Sequence, residues 1–182
     1  MTATPGHRLA FTTFFVLKQA YGHPEVRDFE DAEPAVFETA DTADGFVDRA
    51  RSEESEPLPA TATNFDRNWG PWGRFAVPVF YTEPVAPGRD RRSSTLSIWR
   101  DITTVRNYVY SGLHRDALKR RTDWSDPTTR TPNHAAWWIP SDRIPTWSDA
   151  VARLEQLHTE GPTPNTFTLR TAFHSDGSIC RP

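Results

Sequence analysis

His114 is the residue whose type and surroundings best suit proton transfer. It lies in VRNYVYSGLHRDALKRR, four residues after Tyr110. Residues four apart share a helix face, so this spacing predicts that Tyr110 and His114 meet and can hydrogen-bond or share a ligand. A partly buried imidazole acts as acid or base near neutrality, with Tyr108 able to orient or donate. A core histidine satisfied by a neighbour has the same sequence signature, and both readings stay open. Arg121 closes the run Lys119-Arg120-Arg121, and its planar fork suits a carboxylate or phenolate. Arginines at helix ends also cap carbonyls or face solvent. The triplet His114-Arg115-Asp116 imitates a kinase catalytic loop, but Arg121 stands where that loop needs asparagine.

The tryptophans are the second set of candidates. Trp137 and Trp138 are adjacent in a strand-like segment and must point to opposite faces, so only one can look into a given pocket. Trp99 and Trp138 are the candidates to line that pocket, with His134 on the Trp138 face, and packing into the core is the alternative reading of both. Trp69 and Trp72, in the loop WGPWG, suggest a lid or a dimer contact, or simple anchoring of the loop. Other chemistries find no support. The six histidines show no three- or four-residue pairing, and no HExxH, GxGxxG or phosphate-binding loop occurs. Metal, nicotinamide and nucleotide cofactors are therefore not expected. Cys180 is the single cysteine, which excludes a disulfide framework and multi-cysteine metal sites. Ser111 lacks a nucleophile-elbow context and Cys180 an activating partner, so a hydrolase is disfavoured.

Elements must position these residues. Alternation predicts strands over residues 8–18, 75–82, 94–100 and 134–140, with a short one over 45–52. Residues 25–43 are weakly helical, with Pro34 limiting the helix. Over 101–121, Ile102, Val105, Val109, Leu113 and Ala117 recur at helical spacing and predict one long helix. Another starts at Thr146, with Asp149 completing an approximate capping box, and stops at Gly161-Pro162. NTFTLRTAF follows as a last strand or edge segment. Residues 53–73 form a long loop rich in breakers. The order matches an α+β, ferredoxin-like split βαβ plan: an antiparallel sheet with helices on one face. One domain spanning 1–182 is expected, with 53–73 as a loop insertion.

Composition agrees with a folded chain. It has 182 residues, a formal net charge of −3, seven Trp and eleven Phe, the opposite of a disordered profile. Residues 24–60 carry twelve acids against three arginines, and 89–130 carry ten bases against five acids. These runs read as solvated faces, a basic wall for an anionic ligand, or complementary dimer patches. Mild overall acidity argues against nucleic acid as partner, and no apolar stretch is long enough for a membrane. With no secretory signal pattern at its start, the chain is expected to be cytoplasmic.

Three segments resemble a known family: TLSIWRDITTVRNYVYSGLHRDALKRRTDW, AAWWIP and PTWSDAVARLEQLHTEGPTPNTFTLRTAF. With the less distinctive LAFTTFF, they are similar to the DUF3291 family of the dimeric α+β barrel superfamily. The resemblance implies that two ferredoxin-like protomers pair their sheets into a barrel, each keeping a pocket between its sheet and helices. Phe14, Val16 and one of the adjacent tryptophans would supply the apolar face of such a homodimer. It also implies a cofactor-free enzyme acting on a small hydrophobic, aromatic or polyketide-like molecule, as in antibiotic biosynthesis and other secondary metabolism. The reaction would be isomerisation, cyclisation, dehydration or a direct monooxygenation. His114 would be the acid/base, Tyr110 and Tyr108 would orient, Arg121 would favour an anionic intermediate, and Trp99 and Trp138 would line the pocket. Two alternatives stand beside it: a haem enzyme with His114 as axial ligand, and a small-molecule-binding protein without catalysis.

Overall fold

A computed structural model describes residues 6–53, 63, 65–83, 85–86, 88–128 and 130–180. Strand β1, His7–Val16, is one of the sheet's two interior strands. It is followed by helix α1, Arg27–Asp41, and the short strand β2, Phe46–Arg49. Strand β3 spans Arg92–Trp99, helices α2 and α3 span Ile102–Val109 and Gly112–Trp124, and β4 spans His134–Pro140. Helix α4, Trp147–Glu160, and the two-residue strands β5, Ala172–Phe173, and β6, Ile179–Cys180, complete the chain. The open sheet has the order β2-β3-β1-β4 with antiparallel neighbours, the ferredoxin-like arrangement expected from the split βαβ pattern.

Alternation along β1 divides the core. Leu9, Phe11 and Phe15 face α1, α2 and α3, where Trp99, Ile102, Val105, Val109 and Phe167 join them. Ala10, Phe14 and Val16 face the other way, beneath α4. There Trp72, Trp137 and Trp147 form one cluster, and Leu154 and Leu157 of α4 cover Phe14 and Val16. The sheet is thus covered on both sides within one chain. This corrects the expectation of helices on one face only. It also removes the reason given for sheet-to-sheet pairing, because Phe14 and Val16 are already buried.

Four local expectations change. The apolar stripe over 101–121 does not make one helix: α2 ends at Val109, and Gly112 turns the chain with φ +51° before α3. The segment 75–82 is irregular rather than a strand, with Pro78 buried and Phe75, Phe80 and Tyr81 packed on the second sheet face. Pro34 lies inside α1 rather than ending it, on the exposed side. NTFTLRTAF pairs only locally: Phe167 and Ala136 exchange backbone hydrogen bonds of 2.9 and 2.8 Å before β5 begins. The box that starts α4 is complete, with Thr146 Oγ1 accepting from Asp149 N and the Asp149 carboxylate accepting from Thr146 N.

The charge runs meet partly within the chain. Arg120 pairs with Asp28 at 2.6 Å and Arg100 with Asp44 at 2.6 Å, joining the basic segment to the acidic one. These exposed pairs are screened by solvent and orient surfaces more than they stabilise them.

Candidate functional site

A cavity of about 410 Å³ lies between the sheet and α1 with α3. Its floor is the first face of β1 and β3, where Phe11 and Phe15 alternate with a row of hydroxyls, Thr13, Ser93 and Thr95. Its roof is the stripe Phe29, Ala32, Glu33, Val36, Phe37 and Ala40 of α1, spaced by three and four residues so that one helix face lines the space. Helix α3 closes the side with His114, Ala117, Leu118 and Arg121. A second notch of about 280 Å³ opens on the outside of the α2–α3 elbow, and Tyr108 and His114 line both.

The elbow determines what His114 can do. Because the helix restarts at Gly112, His114 belongs to the first turn of α3 instead of the middle of a long helix. Its Nδ1 lies 3.0 Å from the Val109 carbonyl oxygen, which can only accept, so Nδ1 carries the proton and donates. Nε2 is then the basic atom and has no hydrogen-bond partner among the described residues. Burial pulls the His114 pKa down, against a smaller opposing effect of the Val109 bond. The ring is therefore neutral at pH 7, with a bare lone pair, as a base requires.

The expected Tyr110–His114 pair does not form. Tyr110 follows the last turn of α2, is 54% exposed and stands at the cavity mouth. Tyr108 takes its place: its ring lies 4.9 Å from that of His114 and stacks on Trp99 at 5.0 Å. Its hydroxyl donates to the Val36 carbonyl at 3.0 Å, and burial pushes its pKa up to about 12. Tyr108 is thus a strut tying the elbow to α1. Trp99 does line the cavity, and its indole N–H donates to Ser97 Oγ at 2.9 Å. Trp138 does not line it. Trp138 lies under the C-terminal segment and donates to the Phe173 carbonyl at 2.8 Å. Trp69 and Trp72 pack with Trp147 on the opposite face of the sheet, so neither closes over the cavity. Residues 54–62 and 64 of that loop lie outside the described residues.

Two arginines border the cavity. Arg49 is held by both oxygens of Asp41, at 2.9 and 3.3 Å, over the Phe37 ring. Arg121 is exposed, donates to the Leu118 carbonyl at 3.3 Å and has no carboxylate partner among the described residues.

Two further ionisable residues line the cavity. His134 donates through Nδ1 to Asn133 Oδ1 and accepts from Leu169 N through Nε2 at 3.2 Å, so both nitrogens are committed to structure. Burial lowers its pKa and keeps it neutral. Glu33 was hidden in the acidic run of α1. Its pKa is raised to about 7, first by burial, with Glu30 adding to it and a hydrogen bond from Tyr21 at 3.4 Å opposing it. The available signal was its place on the helix: Glu33 stands four residues after Phe29 and four before Phe37, on the apolar stripe. A perturbed carboxyl in a cleft marks a candidate site. Among the described residues, no three His, Cys, Asp or Glu side chains converge to hold a metal ion, and no helix is long and apolar enough to cross a membrane.

No curated protein and no solved structure matches the chain. Residues 8–180 match the family described as a domain of unknown function, DUF3291. That match takes in both layers around the cavity, and on its strength the chain belongs to the DUF3291 family.

Proposed function

We propose that this protein is a cofactor-independent enzyme that rearranges a small hydrophobic, aromatic metabolite by proton transfer, as in isomerisation, cyclisation or dehydration. The observation that carries the reading is His114: its tautomer is fixed by the Val109 carbonyl, and Nε2 is left without a hydrogen-bond partner among the described residues, in a ring beside the cavity. The volume of about 410 Å³ falls within the about 300–1,000 Å³ usual for small-molecule sites. Nε2 would take a proton from carbon or oxygen of the bound molecule, and Arg121 at the rim would favour the resulting anion. Aromatic walls exclude water and hold a flat molecule by its faces. A haem carried by His114 fits these walls poorly. The cavity is near the small end of that range, and the Glu33 carboxyl, with no cation beside it among the described residues, would face an anionic porphyrin.

Deuterium uptake tests the reading at the proton-transfer step itself, whatever rearrangement follows. Small aryl β-dicarbonyl compounds, with and without an amino group, are incubated with the protein in deuterium oxide and followed by proton NMR. Wild-type protein should accelerate loss of the acidic C–H signal, and His114→Ala should slow that exchange about 10²–10⁴-fold while remaining folded. His114→Gln should keep the fold without restoring exchange, because an amide does not titrate near neutrality. A Gln variant as active as wild type removes His114 from the chemistry.

A further inference from the structure

The ionisable groups around the cavity are unequal in what compensates them. Arg49 of β2 is neutralised by Asp41, His134 of β4 is bonded at both nitrogens, and Tyr108 of α2 is tied to α1. On α3, His114 is bonded at Nδ1 and Arg121 stays exposed, while Tyr110 stands at the mouth. Glu33 alone is a half-buried acid with no cation within ion-pair distance among the described residues. The groups acting on it are Tyr21, which donates at 3.4 Å, and Glu30, which adds negative potential from the preceding turn. Phe29 and Phe37 stand one turn to either side, and Phe15 and Tyr21 pack edge-on to Phe29 at 5.5 and 6.3 Å.

An uncompensated carboxyl among ring faces is complementary to an organic ammonium. The carboxylate offers a charge-assisted hydrogen bond, and the negative ring faces attract the same cation. A ligand carboxylate or phenolate at this place would meet Glu33 and Glu30 and be repelled. We infer that the ligand of this cavity is a small aromatic molecule bearing a basic amine, seated with its ammonium group against Glu33. The inference rests on the reading of the cavity as a small-molecule site and adds the substrate class to it. An ammonium favours the ionised carboxylate, so binding at neutral pH should expel the proton that Glu33 holds, and affinity should rise between pH 6 and pH 8.

Titration calorimetry with phenethylamine, phenethyl alcohol and phenylacetate separates the outcomes. It is run near pH 7 in two buffers of different ionisation enthalpy. Wild-type protein should bind the amine tightest and release about half a proton per ligand. Glu33→Gln, which keeps the shape of the side chain, should weaken amine binding about 10–100-fold and abolish proton release, leaving the alcohol unchanged. Preference for the alcohol or phenylacetate, amine binding indifferent to Glu33→Gln, or amine binding without proton release overturns the assignment and leaves the cavity reading standing. Binding of none of the three overturns both.

Discussion

At Glu33 the folded environment works against the charge, and this has a consequence for stability. The carboxyl has an ordinary value of 4.5 and is raised to about 7 in the folded chain, chiefly by burial. Between those values the native state binds more protons than the unfolded one, so stability falls as pH rises through that window. The protonated carboxyl is tolerated below pH 4.5, and the full penalty of the charge is present above pH 7. Glu33→Gln removes the titration. Its stability should equal that of wild type near pH 4 and exceed it by about 1–3 kcal/mol near pH 8, read from urea denaturation at both values. An equal difference at the two pH values would show that Glu33 is not held in a desolvated place. The site was half legible from residue types. His114, Trp99 and Arg121 were visible because rare or chemically apt side chains stand out. Glu33 was masked by the surrounding acids, and only its place on the apolar stripe of α1 distinguishes it.

Elements were legible where local signals agree with one another. Strand β4 and helix α4 follow directly from alternation and from the Thr146–Asp149 box. The segment 75–82 shows why alternation alone misleads: an apolar pattern reports burial, and Phe75, Phe80 and Tyr81 are indeed packed inward without joining any ladder. The elbow between α2 and α3 shows the same for helices. Val109 is buried as the stripe requires, yet Leu113, the next apolar member, is 51% exposed because the chain has turned. Gly112 supplies the turn at φ +51°, a conformation that costs a side-chain-bearing residue about 1–2 kcal/mol. Space is not the obstacle, since nothing lies within 4 Å of an added Cβ. Gly112→Ala should therefore lower stability by about 1–2 kcal/mol. It should also disturb the Nδ1–H bond of His114 to Val109, visible as a shifted imidazole nitrogen resonance. A variant as stable as wild type, with that resonance unmoved, would show that the elbow does not depend on glycine.

The whole molecule is a sheet enclosed between two unlike layers. One layer, α1 to α3, leaves the cavity. The other, α4 with residues 69–81, fills its side with Trp72, Trp147 and Leu154. The resemblance read from sequence implied that a second copy would cover Phe14 and Val16, but a strand's alternation shows that a face is buried without showing what buries it. Here the cover comes from the same chain, through a helix more than a hundred residues away in sequence. The energetic consequence can be checked with Trp72, which is 4% exposed and distant from the cavity lining. Trp72→Ala removes a large ring from a closed core and should cost about 3–5 kcal/mol. Because the contact is intramolecular, its cost should not change with protein concentration, whereas an interface between copies would tie unfolding to concentration through mass action. Denaturant midpoints measured over a hundredfold range of protein concentration decide between them. A wild-type-to-variant gap that widens as the protein is concentrated would mean that this face is shared between chains. A constant gap, with ligand affinity at the opposite face retained, is the result expected of a sheet covered by its own helix.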